Sequence, residues 1–268
     1  MAFSNKRNEK KQKKPLVTEQ SATKGRGRNF AVAEAHKRLR TNVFFSFPEE
    51  DKVCRIVGIT SSVAHEGKST TSVNLAYDIL QTGKRVLLID GDMRLSKVEK
   101  NLGIKKAPGL SNFLVGDNNG EGIVQRVPDL GNLAVIACGD VPPNPTELLS
   151  SRRMGSLLDT LKKSYDYIIL DLPPVGAVSD AIIVSKRCDG IIIVARQDYV
   201  DKRAIDDTIR QLKLNEANII GFVVTCSNSG GKYYKSKYKR YYGKYGRSYG
   251  YYGRYGYSAP PSDNGDEK

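Results

Sequence analysis

The stretch that most restricts the fold is an apolar run over residues 53–60, followed by Ser61-Ser-Val-Ala-His-Glu-Gly-Lys-Ser-Thr70 and a helix-spaced segment over 69–82. An apolar strand that turns through Gly-Lys-Ser-Thr into a helix is the core of a P-loop. Its backbone N–H groups and helix N-terminus bind phosphate oxygens, the lysine reaches the outer phosphates, and the hydroxyl after it ligates a divalent cation. Glu66, Gly67, Lys68, Ser69 and Thr70 are therefore the candidate phosphate-binding residues. One departure is plain: Ser62 stands where the usual first glycine, five residues before Gly67, would be.

The rest of the body repeats this alternation. Apolar runs at 85–89, 133–138, 167–170, 190–195 and 219–225 read as strands buried on both faces, and helix-length stretches lie between them at 96–102, 111–115, 146–161, 179–186 and 202–212. Near-continuous apolar strands alternating with helices predict an α/β fold, a parallel sheet covered by helices on both faces. Ligands bind such a sheet beyond the carboxyl ends of its strands, and the remaining motifs sit at those ends. Val86-Leu-Leu-Ile-Asp-Gly-Asp-Met-Arg94 presents Asp90 and Asp92, and Tyr167-Ile-Ile-Leu-Asp-Leu-Pro-Pro174 presents Asp171. A single strand-end aspartate is commonly a cap or turn residue. Three of them after buried strands beside a P-loop match the placement of Mg2+ and water ligands in nucleoside triphosphatases, which predicts ATP and Mg2+ as ligands.

Charge is concentrated at the ends. The net charge is +14, of which residues 1–40 contribute +9 and residues 228–258 contribute +8, while residues 41–227 sum to −1. Such ends suit phosphate, anionic lipid or nucleic acid, and equally suit solvation with no partner. Residues 1–28 are rich in Lys, Asn, Gln and Gly with almost nothing to bury, and are expected to be a disordered arm. From Phe30 to about Phe47, Ala31, Glu34, Ala35, Arg38, Leu39 and Asn42 fall at helical spacing, and Pro48 ends the segment. This predicts a helix that packs on the body or on a neighbouring subunit. No apolar run approaches the ~18–20 residues of a membrane span, and no apolar stretch follows the cationic start, so a cytoplasmic chain is expected. Four separated cysteines (Cys54, Cys138, Cys188, Cys226) without a CxxC pair, and two histidines, exclude a disulfide scaffold and a zinc fold; the cysteines read as reduced, small apolar core residues.

The C-terminal segment 232–257 reads KYYKSKYKRYYGKYGRSYGYYGRYGY and holds eleven of the fifteen tyrosines. It has no aliphatic residue and is expected to be disordered. By composition alone it is a low-complexity tail or a segment that stacks on single-stranded nucleic acid.

Taken together, these motifs resemble the bacterial tyrosine kinases (BY-kinases) of capsule and exopolysaccharide assembly, over roughly residues 30–257. The resemblance rests on the degenerate Walker A loop at 61–70, the DxDxR pattern of Asp90, Asp92 and Arg94, and the Walker B strand at 168–173. It rests also on Gly139-Asp-Val-Pro-Pro-Asn-Pro-Thr-Glu-Leu-Leu149 and on the tyrosine cluster.

The resemblance implies a P-loop kinase domain over 29–230, with an oligomerisation helix at 29–47 and an autophosphorylation tail at 231–268. In it Lys68 and Ser69 hold phosphates and Mg2+, Asp90 accepts the tyrosine proton, Asp92 is a metal-water or positioning carboxylate, and Asp171 is the Walker B Mg2+ partner. The catalytic set is Asp90, Asp92 and Lys68, and the metal set Ser69, Asp92 and Asp171. The implied acceptors are Tyr233, Tyr234, Tyr238, Tyr241, Tyr242, Tyr245, Tyr249, Tyr251, Tyr252, Tyr255 and Tyr257. Ring-like self-association is implied through Glu34, Lys37 and Arg40, where the family has ExxRxxR; Lys37 keeps the charge but lacks the bidentate fork of arginine. A second departure is Thr225, where the family usually has an asparagine near the adenine; Asn228 is the nearest substitute. A separate transmembrane co-polymerase-like modulator and a cognate phosphotyrosine phosphatase are the implied partners. Nucleic acid is not expected as the main one, and the kinase would sit at the inner face of the membrane through the modulator.

The nearest rival with the same fold is a MinD/ParA-type partition or positioning ATPase. Such ATPases carry an additional lysine early in the P-loop; residues 61–66 contain none, and those ATPases lack a tyrosine cluster.

Overall fold

The computed structural model describes residues 28–47, 54–117 and 119–227. The arm expected over 1–28 lies outside the described residues but for Arg28, and so does the tail expected over 231–268. Seven strands form one sheet: β1 (Arg55–Ser61), β2 (Val86–Asp90), β3 (Val124–Val127), β4 (Leu133–Ile136), β5 (Tyr167–Asp171), β6 (Gly190–Arg196) and β7 (Ile219–Thr225). Their order is β3-β4-β2-β5-β1-β6-β7. Every pairing is parallel except β3 with β4, which is antiparallel.

Alternation along the strands builds two cores. Ile56, Leu87, Ile89, Ile168, Leu170, Ile191 and Ile193 point to one face, and Val57, Ile59, Val86, Leu88, Ile169, Ile192 and Val194 to the other. The first face is covered by α4 (Leu110–Val115), α5 (Pro145–Ser150), α6 (Arg152–Leu161), α7 (Asp180–Ser185) and α8 (Lys202–Leu214), through residues such as Leu114, Leu149, Met154, Val184 and Leu212. The second is covered by α1 (Arg28–Phe45), α2 (Lys68–Leu80) and α3 (Val98–Leu102), through Val43, Val73, Leu75, Ile79 and Val98. A strand with apolar side chains on both faces is stable only when both are covered, which is why the central strands read as unbroken apolar runs.

The six strands and the helices read from periodicity are all present, with three differences. The stretch 146–161 is two helices rather than one. Ser151 adopts an extended conformation (φ −61°, ψ 156°) and its hydroxyl oxygen accepts from Met154 N–H, so it ends α5 and caps α6; serine competes with helix-interior hydrogen bonds and favours this role. Strand β3 was not foreseen, because Val-Gln-Arg-Val is short, half polar and confined to the sheet edge. Strand β7 is not buried on both faces: at the opposite edge, Phe222 and Val224 are 50% and 58% exposed. Of the four thiols, Cys54 and Cys138 are buried and Cys188 partly so, whereas Cys226 is exposed.

Helix α1 packs on α2 of its own chain. Arg40 Nη1 donates to the Asp78 carbonyl at 3.3 Å, and Val43 and Phe47 are buried in the second core. Glu34 lies 3.9 Å from Arg38 in an i,i+4 pair.

A close backbone approach fixes the segment ahead of the PPNP loop. Leu110 N–H donates to the Ala137 carbonyl at 2.8 Å and Ser111 N–H to the Cys138 carbonyl at 2.9 Å. A Cβ on Gly109 would lie 2.4 Å from Gly139 N and 2.5 Å from the Ala137 oxygen. Neither backbone atom can yield without moving the strand end. Gly109→Ala is therefore expected to cost about 2–3 kcal/mol by overpacking, seen as a lowered urea midpoint; an unchanged midpoint contradicts the packing described.

Candidate active site

The site is assembled by the order of three strands. Strand β5 lies between β1 and β2, with Asp171 opposite Asp90 on one side and opposite Ile59 on the other. The P-loop that follows β1 and the acidic loop that follows β2 therefore meet at the carboxyl end of β5.

The P-loop is held from below and from the side. Gly67 sits at φ +94°, a left-handed conformation that glycine adopts without cost and that turns the chain into α2. A Cβ there would lie 3.2 Å from Thr225 Cγ2. Glu66 is fully buried: one carboxylate oxygen accepts from Val63 N–H at 2.7 Å and the other from Arg196 N–H at 3.2 Å. Its backbone carbonyl accepts from the Thr225 hydroxyl at 2.7 Å. Glu66 thus ties the loop to the ends of β6 and β7, and Thr225 is spent on the loop backbone. Asn228 lies outside the described residues. The departure at Ser62 is also accounted for: its buried Oγ accepts from the Thr208 hydroxyl of α8 at 3.0 Å, and its carbonyl accepts from Gly176 N–H.

Lys68, Asp92 and Asp171 come together at the head of α2. Lys68 Nζ lies 2.8 Å from Asp92 Oδ2 and 3.9 Å from Asp171 Oδ1. Asp171 Oδ1 also accepts from the Ser72 hydroxyl at 3.1 Å, and the Ser69 hydroxyl stands near the same carboxylate and favours its charged form. Thr70 stands on the first turn of α2, half-buried. Asp90 is fully buried; its Oδ1 accepts from Asp92 N–H at 3.1 Å and its Oδ2 from the Ser96 hydroxyl.

The charges do not balance. Burial opposes the Lys68 ammonium, but Asp171 and Asp92 outweigh it and hold its pKa above the ordinary lysine range. Burial, and then the neighbouring Asp171, push the Asp90 carboxyl well above the usual carboxylate range. Burial likewise raises Asp171, offset in part by Lys68 and by the hydroxyls of Ser69 and Ser72.

One buried oxygen, Asp171 Oδ2, has no hydrogen-bond partner. A hard divalent cation fits this setting, since the donors are carboxylate and hydroxyl oxygens, net charge is negative, and an orphaned carboxylate oxygen is in place.

The sequence-predicted residues Glu66, Gly67, Lys68, Ser69, Asp90, Asp92 and Asp171 are thus brought together. Four others were not foreseen. Ser96 bridges Asp90 to the buried Glu99, and Cys138 Sγ belongs to the same cluster, its ligand atom within 4.8 Å of those of Asp90 and Glu99. Burial raises the Cys138 pKa to about 11. Asp180, fully buried, accepts from Arg94 and Thr146. Only its charge, at the start of an otherwise apolar helix, marked it in the sequence.

The raised Asp90 pKa makes a signed prediction. Below the ordinary carboxylate range Asp90 is neutral in folded and unfolded chain alike. As pH rises through that range only the unfolded chain ionises, so stability is lost until the folded-state pKa is reached. Asp90→Asn should therefore raise the nucleotide-free melting temperature at pH 7.5, with a gain that shrinks toward pH 4. A variant that melts lower than wild type at pH 7.5 contradicts the electrostatics described.

The AAA domain family matches residues 55–220. Tyrosine-protein kinase CpsD of Streptococcus pneumoniae serotype 4 is 38% identical over 196 residues, 71% of this chain and 82% of that protein. The putative tyrosine-protein kinase EpsB of Ralstonia nicotianae is 36% identical over 233 residues, 85% of this chain but 29% of that protein. Among solved structures, the kinase domain of Escherichia coli tyrosine kinase ETK superposes with a TM-score of 0.71 at 30% identity, covering 84% of this chain and 86% of that one. With the DxDxR loop, the P-loop and the Walker B strand in one site, these similarities make the chain an ATP-dependent protein-tyrosine kinase, a member of the bacterial tyrosine kinase family of capsule and exopolysaccharide biosynthesis.

Proposed function

We propose that this kinase transfers the γ-phosphoryl group of ATP to the tyrosines of its own tail, Tyr233 to Tyr257, in trans within a homo-oligomer. The observation that carries the reading is the convergence of Lys68, Asp90, Asp92 and Asp171 at the carboxyl ends of β1, β2 and β5. Strand β7 ends at Thr225, whose hydroxyl bonds the Glu66 carbonyl of the P-loop.

Each residue has a role in this reading. Gly67 to Thr70 and the first turn of α2 hold the phosphates, and Lys68 exchanges Asp92 for the outer phosphate oxygens. Ser69, Asp92 and Asp171 would hold Mg2+, which supplies charge neutralisation at the β- and γ-phosphates. Asp90 takes the proton of the acceptor. A tyrosine hydroxyl has a pKa of ~10, and a carboxylate made more basic by burial is a better match to it than an exposed one. As the tyrosine oxygen bonds the γ-phosphorus, its proton passes to Asp90. The bond from γ-phosphorus to the bridging oxygen breaks, and its electron pair stays on ADP.

The domain division follows the same reading: a basic arm over 1–28, a catalytic domain over 29–230 with α1 as the oligomerisation helix, and a substrate tail over 231–268. Glu34, Lys37 and Arg40 would face a neighbouring subunit, Arg40 while also touching α2 of its own chain.

A modulator that crosses the membrane, and a phosphatase that resets the tail, complete the cycle. The kinase would then sit peripheral to the inner membrane face. Each phosphotyrosine adds about −1.5 to −2 charges, so about five would cancel the +8 of residues 228–258 and turn the tail anionic, which would drive the oligomer apart.

The test is phosphotyrosine mapping by mass spectrometry after incubation with ATP and Mg2+, alone and with a modulator's cytoplasmic tail. Signal on Tyr233–Tyr257 is expected for the full chain, and its loss in Lys68→Met and in a truncation at Gly231. ATP hydrolysis that survives truncation, with no phosphotyrosine in any sample, would overturn the reading in favour of a partition-type ATPase.

A further inference from the structure

Asp180 is a buried charge that the chemistry above does not use. It opens α7, and its side chain is fully buried. Oδ2 accepts from Arg94 Nε at 3.0 Å and Oδ1 from Arg94 Nη2 at 3.3 Å, a two-point pairing that fixes the guanidinium. Oδ1 also accepts from the Thr146 hydroxyl at 2.5 Å, and Arg94 Nη2 donates to Thr146 Oγ1 at 3.1 Å. Three segments meet at this point: the acidic loop after β2, the first turn of α5 beyond the PPNP sequence, and the start of α7.

The loop that Arg94 belongs to needs such an anchor. Residues 91–97 form neither helix nor strand. Its near end is held by Gly91 N–H, which donates to the Asp171 carbonyl at 2.8 Å. Arg94 is at its middle, and its backbone aims Asp92: Arg94 N–H and Leu95 N–H both donate to Asp92 Oδ1, at 3.3 and 3.0 Å. That leaves Oδ2 directed at Lys68. Ser96, two residues on, carries the hydroxyl bonded to Asp90. The orientation of Asp90 and Asp92 thus depends on the backbone at 94–96, and the side-chain tie that joins this backbone to α5 and α7 is the Arg94–Asp180–Thr146 group.

We propose that Asp180, acting through Arg94 and assisted by Thr146, is a positioning residue that holds the acidic loop in register for phosphoryl transfer. It touches no reacting group, and it works by fixing where Asp90 and Asp92 point. Misplacement of a catalytic group by about 1 Å costs on the order of a hundredfold in rate. The inference rests on the roles given to Asp90 and Asp92 above, and one of its readouts does not involve activity.

The experiment compares full-length wild type with Asp180→Asn, Arg94→Lys, Arg94→Ala and the Arg94→Ala/Asp180→Asn double variant. Hydrogen–deuterium exchange, calorimetric affinity for ADP without Mg2+ and the rate of tail phosphorylation are measured on each. In Asp180→Asn, amides of residues 91–97 should exchange faster while those of α2 are unchanged, kcat should fall at least tenfold, and the Kd for ADP without Mg2+, which the P-loop sets, should stay within twofold. Arg94→Lys should retain part of the rate, and the double variant should be no slower than the slower single one, because both act through one contact. Unchanged exchange at 91–97 in Asp180→Asn overturns the inference whatever the activity. So does a kcat within twofold of wild type, or a joint fall of kcat, Mg2+-free ADP affinity and protection throughout the domain, which marks a merely structural residue. A wild type that forms no phosphotyrosine defeats the kinase reading and the rate argument together, while the exchange result still decides whether Asp180 anchors the loop.

Discussion

The structure depends on one electrostatic imbalance: Asp90 and Asp171 stand opposite each other on adjacent buried strands, with Asp92 beside them and Lys68 as the cation of the group. Removing carboxylates from water is costly unless they are paired or hydrogen-bonded. Here the hydrogen bonds from Ser72, Ser96 and the Asp92 N–H meet part of that need. The remainder is a standing demand for positive charge at the point where a nucleotide's phosphates would bring a divalent cation. The apolar strands that make the sheet are what hold the acids in so dry a setting.

The parts of the fold far from the acids serve the same arrangement. Insertion of β5 between β1 and β2 is what makes a P-loop and an acidic loop neighbours, although 20 or more residues separate them in sequence. Glu66 ties the loop to β6 and β7 by two hydrogen bonds, and Ser62 and Thr208 tie it to α8 by a third. On the other flank Arg94, Asp180 and Thr146 join the acidic loop to α7 and α5. The P-loop and the acidic loop are therefore each braced by neighbouring elements of the fold, as a site that acts by positioning requires.

Much of this was legible in the sequence, and the reasons are specific. The apolar runs ending in Asp90 and Asp171, and the Gly-Lys-Ser-Thr turn, are local patterns whose meaning does not depend on distant residues. The order of the strands is not local, but three motifs that must share one ligand constrain it. Residues that act at long range left no such mark. Nothing near Asp180 announces that it meets Arg94, 86 positions away, and nothing near Thr208 announces Ser62, 146 positions away. Strand β3 escaped because a short edge strand needs no apolar alternation, and the break at Ser151 because a Ser-Ser pair in a helical pattern reads equally as interior or cap.

The central claim is that the acids are arranged for a nucleotide with its divalent cation, and the most direct measurement is calorimetric titration of the full chain with ADP across a range of Mg2+ concentrations. The account predicts weak binding without Mg2+ and an affinity that rises at least tenfold as Mg2+ is added, with the rise lost when Asp171 is replaced by Asn. Equal ADP affinity with and without Mg2+, in wild type and Asp171→Asn alike, would contradict it.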